Sequence, residues 1–370
     1  MKKSKKPFAP AISVRKILPF AVLFVLVVSI FIAKMASADT VVATVAVGGG
    51  PRAFTAVGSK VFVPNFDDAT VSVIDTANGN SVSTIVVGAA PQTIASIGTK
   101  VYVPNSGENT LSVIDTANGN SVSTVNVGGF PYAITTLGTK VYVASEGKGN
   151  VSIIDTANGN SVSAVNVGFF PSAMIALGSK VYVANESDGT VSVIDTANGN
   201  SISTISVGAA PKALITLGKK VFVVNSGKGT VSIINTASGN SVSTVAVGQS
   251  SNTGPAITTL GSKVYVTNSN DDTVSVIDTA NGNSVSTIAV GNMPKAIAVL
   301  GSKVYVANIA DDTVSIIDTA NGNSISTVAV GAKPFSLFSF NKKIYVANES
   351  GMSVSVISGR DNPSGPLGGN

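Results

Sequence analysis

Two sets of residues in this sequence have the types and spacing to do chemistry. The first is a series of aspartates, Asp75, Asp115, Asp155, Asp195, Asp278 and Asp318, each ending the phrase "VSVID" or a near copy of it. Six evenly spaced carboxylates could ring a metal ion. Each, however, stands directly before "TANGN", where an Asp side chain accepts backbone N–H bonds and sets a turn. Asn235 takes the same place once, and its amide makes that bond without a charge. Turn capping is therefore the reading of this series. The second set is the pairs Asp67-Asp68, Asp271-Asp272 and Asp311-Asp312, close to Asn65, Asn268, Asn270 and Asn308. Such oxygen-rich groups suit calcium. Their spacing matches no EF-hand loop, so calcium is a weak expectation and no other cofactor is expected.

Composition removes most other chemistry. The chain has no Cys, no His and no Trp, so disulfides, thiolate nucleophiles and imidazole bases are excluded. No Walker-type phosphate loop is present, and the many glycines fall at turns. Sequons at Asn150, Asn185 and Asn348 are the only modification signals.

Residues 1–38 differ in character from the rest of the chain. Lys2, Lys3, Lys5, Lys6, Arg15 and Lys16 precede an uncharged, apolar run from Ile17 to Ala33, and Ala36-Ser37-Ala38 fits a cleavage site. The run suits either a cleaved export signal or an uncleaved anchor. Either one places the remainder outside the cytoplasm, secreted or at the cell surface, because the basic flank stays inside. Membrane contact is expected only through residues 17–33. Seven of the 24 basic residues and none of the 19 acidic ones lie in this leader. The rest therefore carries 17 minus 19, or −2, and a nucleic-acid partner is not expected.

From residue 40 the chain repeats. The forms "KVFV", "KVYV" or "KIYV" begin at Lys60, Lys100, Lys140, Lys180, Lys220, Lys263, Lys303 and Lys343. Their spacing is 40 residues, and 43 across "GQSSNTGPA". A period near 40 without helical patterning predicts a β-propeller with one four-stranded blade per repeat. Strand A follows a loop proline, strand B is "KVYV", strand C "VSVID" and strand D "SVST", with "TANGN" as the C–D hairpin turn. "TVVATVAV" (40–47) reads as a lone strand D, and the last repeat has A, B and C without D. Joining them closes a ring of eight blades. The expected domains are a leader (1–38), an all-β propeller (39–358) and a flexible tail (359–370).

The repeat resembles the YVTN β-propeller of prokaryotic surface-layer-type proteins. Tyr265-Val266-Thr267-Asn268 spells the motif, and "VYVPN", "VYVAN", "VFVVN" and "VSVIDTANGN" are its variants in other repeats. The resemblance implies the propeller fold and a cell-surface or secreted setting. It carries over no catalytic set.

Comparing the repeats with one another separates two faces. The A–B and C–D turns are nearly uniform, whereas the D–A and B–C loops differ from blade to blade, and loops on a rigid scaffold are where function concentrates. Where each D–A loop meets strand A stand Arg52, Gln92, Tyr132, Ser172, Lys212, Pro255, Lys295 and Phe335, near the expected central channel. Neighbouring loops add Phe66, Phe130, Phe169, Phe170 and Lys333. The candidate ligand-binding residues are Arg52, Phe66, Phe130, Tyr132, Lys212, Lys295, Lys333 and Phe335; Phe169 and Phe170 fit equally well as plugs between blades. Aromatic and basic groups at a concave entrance suit a cell-envelope glycan or a protein or peptide ligand. With no carboxylate in those eight places, the expectation is a binding or envelope-structural module without enzyme activity. The alternative is a calcium-dependent hydrolase or lyase of the propeller type.

Overall fold

The computed structural model describes residues 39–250 and 254–358. The leader, its apolar run and the C-terminal tail lie outside the described residues. Within them the chain forms eight four-stranded antiparallel sheets, each an A-B-C-D meander. Blade 1 has strands Thr55–Val57, Lys60–Asn65, Thr70–Asp75 and Ser81–Val86, and in five of the blades strand A is longer at seven residues, as at Pro131–Leu137. Blade 8 takes A, B and C from Pro334–Phe340, Lys343–Asn348 and Ser353–Ser358, and D from the first strand, Thr40–Ala46. Thr40 pairs with Ser358 and Ala46 with Ser353. The ring therefore closes by a strand from one end of the chain completing a sheet from the other, and no sheet edge is left open between them.

Burial follows strand position. Strands B and C are buried on both sides, whereas strand D is mostly exposed. This is why "KVYV" and "VSVI" read as near-continuous apolar runs while "SVST" does not. Alternate side chains serve opposite neighbours. Phe62, Val71 and Val73 of blade 1 pack on Val101, Val103 and Ile114 of blade 2. Val61, Val63 and Ile74 of the same blade pack on Tyr345, Val354 and Val356 of blade 8. Each interface thus takes one aromatic from the B strand, and the tyrosines of "VYV" are among the largest fully buried side chains. Burial raises the phenol pKa at Tyr102, Tyr142, Tyr182, Tyr265 and Tyr345.

A polar rung runs through this core. Asn65 Nδ2 donates to Thr70 Oγ1 at 2.8 Å and to Ser72 Oγ at 2.9 Å, and the arrangement recurs at Asn105, Asn185, Asn225, Asn268, Asn308 and Asn348. In blade 3 the residues exchange, with Ser145 in the Asn place and Asn150 in the Thr place. All three sequons fall on this rung. Asn185 and Asn348 are fully buried, so they offer no surface for glycosylation.

The hairpin turn differs from expectation in one respect. Asn-Gly is expected to supply the two left-handed residues, but these are Gly79 (φ 61°) and Asn80 (φ 62°). Asp75 explains the shift by one. Its Oδ1 accepts from the N–H of Ala77, and its carbonyl accepts from Asn78 and Asn80. Thr76 to Asn78 therefore coil first, and the reversal comes after them.

Candidate functional site at the channel mouth

The A strands of successive blades contact one another around the axis and line the channel. The A–B and C–D turns share one end of the disc, where Thr76 N–H and Oγ1 both bond the Ser59 carbonyl. The D–A and B–C loops share the other, with Phe66 N–H on Gly50 O and Glu146 N–H on Phe130 O.

The aspartate pairs of the loop face hold these loops together. Asp68, Asp271 and Asp311 accept from the N–H of Gly49, Gln249 and Asn292 in their own blade at 2.6–2.7 Å. Asp272 and Asp312 accept from Met293 and Lys333 of the next blade. Asp67 lies beside Gly50, where a Cβ would meet its carboxylate. Among the described residues no three His, Cys, Asp or Glu side chains gather in a metal-holding group. On the opposite face the turn aspartates each accept from the backbone N–H two residues on, as does Asn235.

At the mouth the structure brings Arg52, Phe66, Lys295 and Phe335 together. The Arg52 guanidinium lies 3.7 Å above the Phe66 ring and 5.4 Å from that of Phe335, and Lys295 Nζ lies 4.8 Å from the Phe335 ring. Arg52 Nη1 reaches Gln92 Oε1 at 3.4 Å, and Gln92 in turn donates to Ser106. Ser172 bonds the Pro211 carbonyl. Lys212 and Tyr132 stand on the other side of the same rim.

Sequence reasoning missed the carboxylates that meet these cations. Arg52 Nη2 is 3.0 Å from Glu349 Oε1, and Lys212 Nζ is 3.1 Å from Glu186 Oε1. Glu146 completes the set. None occupies a D–A loop; each is the first residue after strand B. That offset was readable in "ASEG", "ANES" and the second "ANES", in loops already expected on this face; which loop carboxylate meets which cation was not. The same groups act on one another's titration. Burial pushes Lys295 down to about 8, with Glu349 opposing the shift and Arg52 and Lys212 adding to it. Burial raises the Glu146 carboxyl, helped by Glu186 and opposed by Lys212. Burial, Glu146 and Glu186 raise Tyr132 against the pull of Arg52.

Other candidates fall outside this cluster. Phe130 (62% exposed), Phe169 (68%) and Phe170 (51%) stand out from the loops, so the last two do not plug the space between blades. Phe130, Phe170 and Lys333 share a left-handed loop position with Ala90, Ala210 and Met293; the recurrence ties that geometry to the repeat. A cleft of about 530 Å³ lies on the opposite face between blades 6 and 7. Leu260, Lys263 and Tyr265 line it, and their equivalents recur in most blades, whereas the groups at the mouth differ from blade to blade.

Fold and site together define a class: an eight-bladed β-propeller with one uniform end and one end of diverse, charged and aromatic loops. The chain belongs to the family described as outer membrane protein assembly factor BamB, which matches residues 67–214, 107–328 and 227–354 in overlapping registers of the repeat. Among solved structures it is similar to BamB from Moraxella catarrhalis at 16% identity and TM-score 0.68, covering 87% of this chain and 98% of that one. It is also similar to Sqt1 of Saccharomyces cerevisiae (10% identity, TM-score 0.74, covering 87% and 99%). Virginiamycin B lyase from Staphylococcus aureus shares the fold at 11% identity and TM-score 0.57, covering 85% and 98%. At these identities the likeness to solved structures is one of fold alone. No curated protein matches the sequence significantly. Among the described residues no helix is long and apolar enough to cross a membrane.

Proposed function

We propose that the protein is a non-enzymatic binding module of the cell envelope, working outside the cytoplasm, which holds a polypeptide segment of a partner at the channel mouth. The observation that carries this reading is the state of the rings. Arg52 covers Phe66, and both Arg52 and Lys295 lie over the Phe335 ring. The flat aromatic platform that a sugar ring needs is taken, while alternating cations and carboxylates match a peptide of mixed charge. The family description, which names an assembly factor, and the basic, apolar leader agree with it. The absence of histidine and the backbone bonds made by the aspartate pairs favour binding over hydrolysis or lysis. The motif at Tyr265–Asn268 supports our reading of the repeat as one of the YVTN surface-layer kind.

An array of mixed-charge, aromatic-containing peptides beside a glycan array tests this. The chain retains peptides and not glycans. A variant carrying Arg52→Ser, Tyr132→Ser, Lys212→Ser, Lys295→Ser and Phe335→Ser keeps its β-sheet circular dichroism and cooperative melting but loses that retention. Unchanged retention by the variant, or retention of glycans alone, overturns the assignment.

A further inference from the structure

The two ends of the disc carry opposite charge. Each B strand opens with a lysine on the A–B/C–D face, and Lys219 and Lys342 add two more from the turns, making ten. Seven carboxylates share that end, the six turn aspartates and Asp39. The D–A and B–C loops hold the remaining six basic and eleven acidic groups of residues 39–358. The uniform face is thus net +3 and the loop face net −5.

The positive excess is concentrated. In six blades the register sets the lysine opposite an aspartate, as for Lys180 and Asp195 at 3.2 Å or Lys263 and Asp278 at 3.9 Å. In blades 5 and 8 the opposed residues are Asn235 and Ser358, and the same two blades supply the exposed Lys219 and Lys342. Blade 5 has no carboxylate at this end, and blade 8 has Asp39 alone, beside Thr40 in its outer strand.

The chain's path adds a second, independent observation. Thr40 pairs with Ser358 at this same end, so the described chain both begins and finishes on the lysine face. The apolar run ends at Ala33, within about 25 Å of Thr40 even for fully extended chain.

We propose that the lysine face docks on an anionic lipid bilayer, with the channel mouth turned away from it. Fixed lysines gain from the negative surface potential of such a bilayer, and the gain fades within a Debye length. The acidic face of a second copy is complementary too. A stack of discs, however, would bury the Thr40–Ser358 end of the described chain between two copies, whereas a bilayer on this face suits the apolar run that the sequence carries a few residues before Thr40.

The full chain, mixed with vesicles of phosphatidylcholine alone or of phosphatidylcholine with phosphatidylglycerol, is treated with a membrane-impermeant amine reagent and mapped by mass spectrometry. Labelling of Lys219, Lys220, Lys342 and Lys343 falls at least about threefold on the anionic vesicles and recovers in ~0.5 M salt, as expected for a screened surface attraction. Lys148 and Lys228, on the loop face, react equally with both. The protection at Lys343 disappears in a Lys219→Gln, Lys220→Gln, Lys342→Gln variant that melts like the parent. Equal labelling on both vesicles overturns the proposal. So does protection that needs no vesicles and grows with protein concentration, which would mark a second copy.

Discussion

Arg52 and Glu349 form an ion pair across the seam that closes the ring, Nη2 to Oε1 at 3.0 Å, although almost the whole described chain separates them. The pair joins blade 1 to blade 8 at the mouth, directly above the sheet completed by the N-terminal strand. Closure of the fold and assembly of the candidate site are therefore one event, and both can be tested residue by residue.

Lys295 gives the mouth a pH dependence. Its folded pKa of about 8 lies below the ordinary lysine value near 10.4, so between these values the unfolded chain binds the extra proton. This group's contribution to stability therefore rises as pH climbs from about 8 to 10.4, by up to about 3 kcal/mol. Relative to the parent, Lys295→Met is most favourable below pH 8, and that difference declines above it. Urea unfolding of both proteins at pH 7, 8, 9 and 10 measures the slope; a difference constant with pH contradicts a depressed lysine.

Asn185→Ala removes the buried donor to Thr190 and Ser192 and the acceptor of the Gly168 N–H. Loss of stability by about 2–3 kcal/mol is expected, because buried polar partners are left unmade. The urea midpoint reads it, with the m-value unchanged.

Asp318 has a natural control in Asn235. Asp318→Asn keeps the acceptor for the Ala320 N–H and should stay within about 0.5 kcal/mol of the parent, while Asp318→Ala should lose about 1 kcal/mol. Equal loss in both variants would show that the charge, rather than the turn bond, matters.

Phe338 stacks between Phe54 of blade 1 (5.8 Å) and Phe340 (6.0 Å), beside the closing seam. Phe338→Ala should cost about 3–4 kcal/mol through lost burial and stacking. Hydrogen exchange should show the Thr40–Ala46 strand opening before the other blades.

Calcium should leave the melting temperature unchanged, because the aspartate pairs already accept the loop N–H groups of two blades. A rise reversed by chelator would restore the hydrolase or lyase alternative.

The repeat unit was legible in the sequence because its determinants are local. Apolar runs, β-branched residues and turn signals at fixed offsets specify strand, turn and period within a single blade. The pairing of the first strand with the last three was legible for the same reason, since one repeat lacked the strand that the other end supplied. Half of the mouth could be named as well, because Arg52, Lys212, Lys295 and Phe335 share one place in the repeat. Their carboxylate partners could not. Glu349, Glu186 and Glu146 lie in B–C loops already expected on this face, but only the packing of neighbouring blades decides which of their residues meet the cations. The same holds for charge: a linear count finds a mild excess of acid, and the alternation of turns between the two ends of a disc is what divides it into a basic face and an acidic one. Short-range sterics and periodicity act within about 40 residues and can be read along the chain. Ion pairs, desolvation and surface charge depend on distances that exist only once the ring has closed.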